Sequence, residues 1–161
     1  MTNTDKLLIF RIEEQNFAIS LEVVAVVINI VEICELPHAP EYILGIINYY
    51  GEVLPVIDLR FIFQQKSRDI ELSDKLIVVK FSEQPICLWV DQIGEIIDFQ
   101  PDMIKESNNF FMEMNYIDGI FMLENDIVFL QNVENFFTKE VMEKLHELVS
   151  THKQISSAKM N

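Results

Sequence analysis

The chain reads as all-β, with about ten short strands in two groups, built as two small barrels or sandwiches, and one helix at the C-terminus. Three observations predict this. Short runs rich in Ile, Val and Phe recur between turn signals. A polar stretch from Gln64 to Asp74 parts those runs into two sets. Only residues 139–152 carry apolar positions at helical spacing.

The elements follow in order. Lys6–Ile12 and Phe17–Ser20 read as strands around the polar turn Glu13-Glu14-Gln15-Asn16. Val23–Ile33 is nearly continuous β-branched sequence and reads as a buried strand. Pro37 and Pro40 end it, because neither fits a central strand. Gly45–Tyr49 and Val53–Ile57 form a hairpin around a glycine turn. Asp58 is placed to cap a short helical turn over Leu59–Phe63. In the second set, Lys75–Phe81 and Ile86–Val90 flank Ser82-Glu83-Gln84-Pro85, and Gly94–Phe99 follows. Asp102–Asn115 reads as a long connection, and Tyr116–Leu123 with Ile127–Leu130 as a last hairpin. Thr138 is the expected cap of a helix whose Val141, Leu145, Leu148 and Val149 share one face, which predicts docking on a barrel. The organisation is therefore one domain over 6–150, with halves 6–66 and 74–137, a helix over 139–152 and a flexible tail over 154–161.

Composition narrows the function. Twelve basic against twenty-six acidic residues give a formal charge of −14, which argues against nucleic acid and anionic membrane as partners. The longest strongly apolar run, Val23–Ile28, is too short to insert into a bilayer, and the N-terminus does not read as a signal peptide. Cys34 and Cys87 lie in apolar surroundings and are expected to be buried, unpaired thiols of a cytoplasmic protein.

No catalytic pattern stands out. His38, His146 and His152 are too far apart for a local metal motif, and four glycines cannot build a phosphate-cradling loop. Asp91 and Asp98 flank one strand region, and a small enzyme would need them gathered with a histidine in a cleft. The reading is of a protein that is not an enzyme, with no cofactor and no metal. Trp89 belongs to the core. Tyr49 and Tyr50, adjacent on a strand, point to opposite faces. The exposed one is either an anchor for a protein partner or an amphipathic residue on a barrel rim.

The most informative segment is Gly45-Ile-Ile-Asn48-Tyr-Tyr-Gly51-Glu-Val-Leu-Pro55-Val-Ile-Asp58-Leu-Arg60. It holds two of the chain's four glycines, where average usage would give roughly eleven in all. The segment resembles the signature of the CheW family of chemotaxis coupling proteins, at Gly45, Asn48, Gly51, Pro55, Val56, Asp58, Leu59 and Arg60. The likeness extends to Leu8–Ile19, Leu36–Tyr42, Val90–Ile96, Tyr116–Gly119 and Leu130–Phe137. It implies two five-stranded SH3-like barrels and a scaffold without catalysis. It also implies two partners, the cytoplasmic tips of methyl-accepting chemoreceptors and the regulatory domain of a CheA-type histidine kinase. The site of action would be cytoplasmic, at membrane-associated receptor arrays.

On the same resemblance, Val24, Val26, Val27, Ile46, Tyr49 and Tyr50 are candidates for the receptor side, and Ile93, Ile96 and Asp98 for the kinase side. Gly45, Asn48, Gly51, Pro55, Asp58 and Arg60 form the structural frame. Two positions depart from the family pattern. An arginine of the signature is Tyr50 here, and a glutamate of the early strand is Val26. Losing both members of an ion pair avoids a stranded buried charge, so the two are expected to pack together. The departure also raises a second reading, a paralogue serving a non-flagellar pathway such as type IV pilus control.

Overall fold

Continuous apolar runs, Leu7–Phe10 and Phe17–Ile19, build the expected opening hairpin, β1 (Asp5–Ile12) with β2 (Gln15–Ser20), around the two-residue turn Glu13-Glu14. The structure, a computed structural model, describes residues 5–80, 82–104, 106–107 and 117–159. Most of the long connection expected over 102–115 lies outside these residues.

Ten further elements follow: β3 (Val24–Asn29), β4 (Ile43–Tyr49), β5 (Glu52–Asp58), α1 (Leu59–Ile62), β6 (Lys75–Val79), β7 (Ile86–Val90), β8 (Gln92–Phe99), the two-residue β9 (Glu106–Ser107), β10 (Ile117–Leu123) and β11 (Asp126–Gln131). Two helices, α2 (Val133–Phe136) and α3 (Lys139–Lys159), complete the chain. The strand expected over Val23–Ile33 is shorter. Leu21–Val23 form a 3-10 turn capped by Ser20, and β3 stops at Asn29. The chain must then cross from one sheet edge to the other, where Cys34 bridges Ile46 through two backbone hydrogen bonds of 2.9 Å. Cys34 is consequently exposed, contrary to expectation, while Cys87 is buried.

The strands make two sheets. One has the order β8-β1-β2-β11-β10-β9, the other β3-β6-β7-β5-β4. The polar stretch 64–74 therefore does not divide them. Each half lends its first hairpin to the other's sheet: β1–β2 lie with β8, β10 and β11, while β6–β7 lie with β3, β4 and β5. The expected halves 6–66 and 74–137 are thus interleaved.

The register reveals an internal repeat. Leu8 pairs with Ile19 and Ile96, and Ile77, sixty-nine residues after Leu8, pairs with Leu88 and Val27, each sixty-nine residues from its counterpart. Gly45–Asp58 and Gly119–Asn132 repeat at a spacing of seventy-four. Ile43 pairs with Ile57 and Ile117 with Gln131, and each pair is followed by a bulge. The parallel contacts match too, Val56 with Cys87 and Leu130 with Ala18.

Three cores explain the long apolar runs. Leu8, Phe10, Phe17 and Ile19 face Ile77, Val79, Ile86 and Leu88 in a central core between the sheets. The opposite faces of the same strands line a separate core inside each sheet, with Cys87 and Trp89 in one and Ile9 and Ala18 in the other. Strands buried on both faces lose the apolar–polar alternation. Each inner core gathers side chains from opposite ends of its sheet: Val26 on β3 and Tyr49 on β4 in one, Ile97 on β8 and Phe121 on β10, next to the edge strand β9, in the other. Each sheet therefore curls on itself without closing its edges by hydrogen bonds, an SH3-like barrel left open.

The C-terminal helix docks as its apolar face predicts. Leu145 and Val149 are buried, and Val141, Met142 and Leu148 pack on the central core. Thr138 accepts a hydrogen bond from the Val141 N–H at 3.3 Å. The helix continues to Lys159, where a flexible tail was expected. Residues 153–159 contain neither glycine nor proline, so nothing in the chain stops the helix.

Candidate functional site

The signature hairpin is a frame in which Asn48, Gly51, Gly45, Pro55 and Asp58 each have a backbone task. Tyr49 pairs with Glu52, leaving Tyr50-Gly51 as a two-residue loop with φ of +50° and +87°. Positive φ at both loop positions matches the right-handed twist of the strands. Asn48 Oδ1 accepts the Gly51 N–H at 2.8 Å and fixes the loop. Gly45 serves close approach instead: a Cβ there would lie 2.5 Å from the Cys34 carbonyl oxygen. Pro55 precedes Val56, where pairing with β7 begins, so its missing N–H interrupts no bond to that strand. Asp58 accepts the Arg60 N–H at 2.9 Å and caps α1, as expected. Burial pushes the Asp58 carboxyl above its usual range, against the pull of those backbone donors.

Arg60 is fully buried. Its guanidinium meets Asp91 and lies 3.3 Å from Glu13 Oε1. Arg68 binds Asp74 through two bonds of 2.7 and 2.9 Å and Asp91 through a third of 2.7 Å. Asp74 also accepts the Trp89 indole N–H at 2.9 Å. Both guanidiniums lie over the Trp89 ring. Two arginines, three carboxylates and one indole thus tie the β1–β2 turn, α1, the 64–74 stretch and the end of β7 into one post. Sequence reading placed Trp89 in the core but missed this network; Arg60 directly after an Asp-Leu cap was its only local signal.

Asp91 is engaged in that post, whereas Asp98 pairs with Lys6 at 2.7 Å near the far end of β8. The two do not form an acid–base pair. Among the described residues, no three His, Cys, Asp or Glu side chains are placed to hold a metal ion.

The candidate receptor residues fall on both edges of the five-stranded sheet, Val24, Val26 and Val27 on β3 and Ile46, Tyr49 and Tyr50 on β4 and its turn. Val24 and Val27 are half-buried against the central core, and Val26 and Tyr49 against the inner core of the five-stranded sheet. Tyr50 stands 94% exposed, with its ring edge-on to Tyr49 at 4.7 Å between centroids. Two expectations are corrected. Ile46 is 2% exposed, in the stretch of β4 that pairs with β5 and is bridged on its other side by Cys34, so it offers no surface. Val26 and Tyr50 do not pack together; the left-handed turn carries Tyr50 into solvent, and Tyr49 shares the core with Val26 instead.

The candidate kinase residues lie on β8, the edge of the six-stranded sheet. Ile93 is half-buried on the central core, and Ile96 and Asp98 are exposed. The repeat makes the two faces counterparts. Val24 corresponds to Ile93, Val27 to Ile96 and Asn29 to Asp98, each sixty-nine residues apart. Lys75 donates to Asn29 at 2.7 Å just as Lys6 donates to Asp98 at 2.7 Å. The molecule therefore presents two equivalent edge strands, on different sheets, with different side chains.

A twin open barrel with two unlike edge faces and a signature hairpin defines a binding module. The family model described as the CheW-like domain matches residues 6–141, and the chain belongs to that family. It is 27% identical over 143 residues to the chemotaxis protein CheW of Rhizobium meliloti, covering 86% of this chain and 90% of that one. It is 22% identical over 147 residues to the chemotaxis protein CheW of Klebsiella aerogenes, covering 90% and 89%. Among solved structures, the scaffolding protein TtCheW from Thermoanaerobacter tengcongensis superposes with a TM-score of 0.72 at 26% identity, covering 80% of this chain and 89% of that one.

Proposed function

We infer that this protein is a non-catalytic adaptor of chemotaxis-type signal transduction, coupling methyl-accepting chemoreceptors to a CheA-type histidine kinase. Family membership over residues 6–141 supports the adaptor role. The observation that carries the two-partner reading is the pair of equivalent but chemically distinct edge strands, β3 and β8. An adaptor must hold two proteins at once, and duplication followed by divergence of one surface supplies two non-overlapping ones.

On this reading Val24, Val26, Val27, Tyr49 and Tyr50 face the cytoplasmic tip of the receptor. Ile93, Ile96 and Asp98 face the regulatory domain of the kinase. Residues 6–150 form the working unit, which acts in the cytoplasm at receptor arrays. No helix among the described residues is long and apolar enough to cross a membrane. The relatives above are chemotaxis proteins, so a pilus-type output gains no support from them.

Pull-down with a receptor hairpin and with the kinase regulatory domain tests this. Tyr50→Ala should weaken receptor capture and leave kinase capture intact; Ile96→Glu should do the reverse. Failure to capture either partner at about 50 µM, a free energy near −6 kcal/mol, would remove the chemotaxis reading.

A further inference from the structure

The internal repeat isolates what distinguishes the two edge strands. Val24 and Val27 pair with Val79 and Ile77, as Ile93 and Ile96 pair with Phe10 and Leu8, so β3 and β8 carry matching bulges. Of the six positions matched between Val24–Asn29 and Ile93–Asp98, four differ by at most one carbon: Val24 and Ile93, Ala25 and Gly94, Val27 and Ile96, Ile28 and Ile97. The other two differ in charge, Val26 against Glu95 and Asn29 against Asp98. Val26 packs on the inner core of its sheet, whereas Glu95 is exposed, since a carboxylate without a partner stays in water. The lysines beside the two strands complete the contrast. Lys6, in register with Asp98, is neutralised by it at 2.7 Å. Its counterpart Lys75, in register with Asn29, donates to a neutral amide at 2.7 Å and keeps its charge. Among the described residues neither Glu95 nor Lys75 forms an ion pair. Over the matched stretches the free charge is therefore negative at β8 and positive at β3.

We propose that these opposite free charges sort the two partners: Glu95 selects a partner that brings a basic residue to the β8 edge, and Lys75 one that brings a carboxylate to the β3 edge. This rests on the adaptor reading, in which β8 meets the kinase regulatory domain and β3 the receptor tip. Two edges alike in register, bulge and apolar content would each accept either partner. Discrimination between such surfaces needs a repulsive element, and like charges set against each other supply it. Ile96, 53% exposed, is the apolar contact beside Glu95, as Val27 is on β3. Charges on an edge strand also guard against pairing with another chain. That role does not account for Glu95, because the bulge blunts both edges and β3 has no charged residue between Val24 and Asn29.

Titration of the full chain against the kinase regulatory domain and against a receptor hairpin tests this at ~0.1 M and ~1 M NaCl, where the Debye length is ~10 Å and ~3 Å. At the lower salt Glu95→Gln should weaken kinase binding about threefold, and Glu95→Lys about tenfold or more, with receptor binding unchanged. Asn29→Asp, which gives Lys75 the partner that Lys6 has, should weaken receptor binding about threefold and leave kinase binding unchanged. Each loss should vanish at the higher salt. Thermal midpoints should not move, because both positions are exposed. A parent chain that binds neither partner would remove the adaptor reading itself. A parent that binds both, with variants that bind as it does, would leave the adaptor reading standing and overturn sorting by charge. Losses that persist at the higher salt would assign the effect to packing and overturn it too, as would Glu95→Gln weakening the receptor instead of the kinase. Concentration-dependent self-association of Glu95→Gln with kinase binding unchanged would make the carboxylate an edge guard and likewise overturn it.

Discussion

The guanidinium of Arg60 lies 4.5 Å from the centre of the Trp89 ring, fully buried, with Glu13 and Asp91 as its counter-charges. This contact joins the signature segment to β7, a strand of the other half of the chain. Removing one member of such a cluster strands the others. Arg60→Leu should cost about 3 kcal/mol, read as a lower urea midpoint. Arg60→Lys should not restore it fully, because an ammonium cannot reproduce the planar fork and the ring stacking. A variant as stable as the parent would show that the post is not what holds the halves together.

Asp74 sets an acid limit on stability. Burial pushes its carboxyl up, but Arg68, the Glu71 N–H and the Trp89 indole N–H outweigh burial and hold it below the usual range. A carboxyl held low in the folded chain adds stability above its unfolded value of about 3.9, and that stability is lost as pH falls through the folded value. Asp58 and Asp118 are pushed up by burial and act in the opposite sense. Their favourable contribution is present below about 3.9 and is lost as pH rises through their raised values. Asp74→Asn should therefore lower the thermal midpoint at pH 7 and flatten its fall below pH ~4. Melting curves from acid to neutral pH check both.

The two signature glycines fail for different reasons when replaced. At Gly45 a methyl meets backbone, so Gly45→Ala should cost about 1–3 kcal/mol. At Gly51 there is open space but φ is +87°. Gly51→Ala should cost about 1–2 kcal/mol, and Gly51→Asn less, because asparagine tolerates the left-handed region. Chemical denaturation of the three variants orders them.

The two thiols should behave oppositely. Burial pushes the Cys87 thiol up to about 12, so the thiolate that reacts is scarce. Cys34 is exposed. A thiol reagent at pH 8 should therefore label one cysteine in the folded chain, Cys34, and two after denaturation. Rapid labelling of Cys87 in the folded chain would mean that β7 opens locally.

Strand existence was legible because apolar runs and turn residues are local signals. The β4–β5 hairpin, the Asp58 cap and the Thr138 cap could each be read from a few neighbouring residues. Sheet membership could not, because β1–β2 and β6–β7 exchange sheets, and exchange leaves no local trace. The repeat that governs it was present as Gly45–Asp58 against Gly119–Asn132, but only the two glycines and scattered apolar positions align. Burial of Ile46 was likewise hidden, since it depends on what covers the strand. That one of the two adjacent tyrosines stands exposed was legible, whereas which one, and whether Tyr50 meets Val26, required a tertiary placement that sequence does not carry.

Tyr50 offers a way to separate fold from binding. It sits at φ +50° with its ring in solvent, a conformation that asparagine adopts more readily than tyrosine. Tyr50→Asn creates the Asn-Gly pair favoured in this turn and should raise stability by roughly 0.5 kcal/mol. Keeping a less suitable residue there makes sense if the exposed ring contacts a partner. An anchoring aromatic is worth about 2 kcal/mol or more when truncated, so receptor affinity should fall at least tenfold while the thermal midpoint rises. Titration calorimetry against a receptor hairpin, paired with a melt of the same sample, reads both quantities. A rise in stability with affinity unchanged would leave Tyr50 as a rim residue and move the receptor contact onto β3 alone.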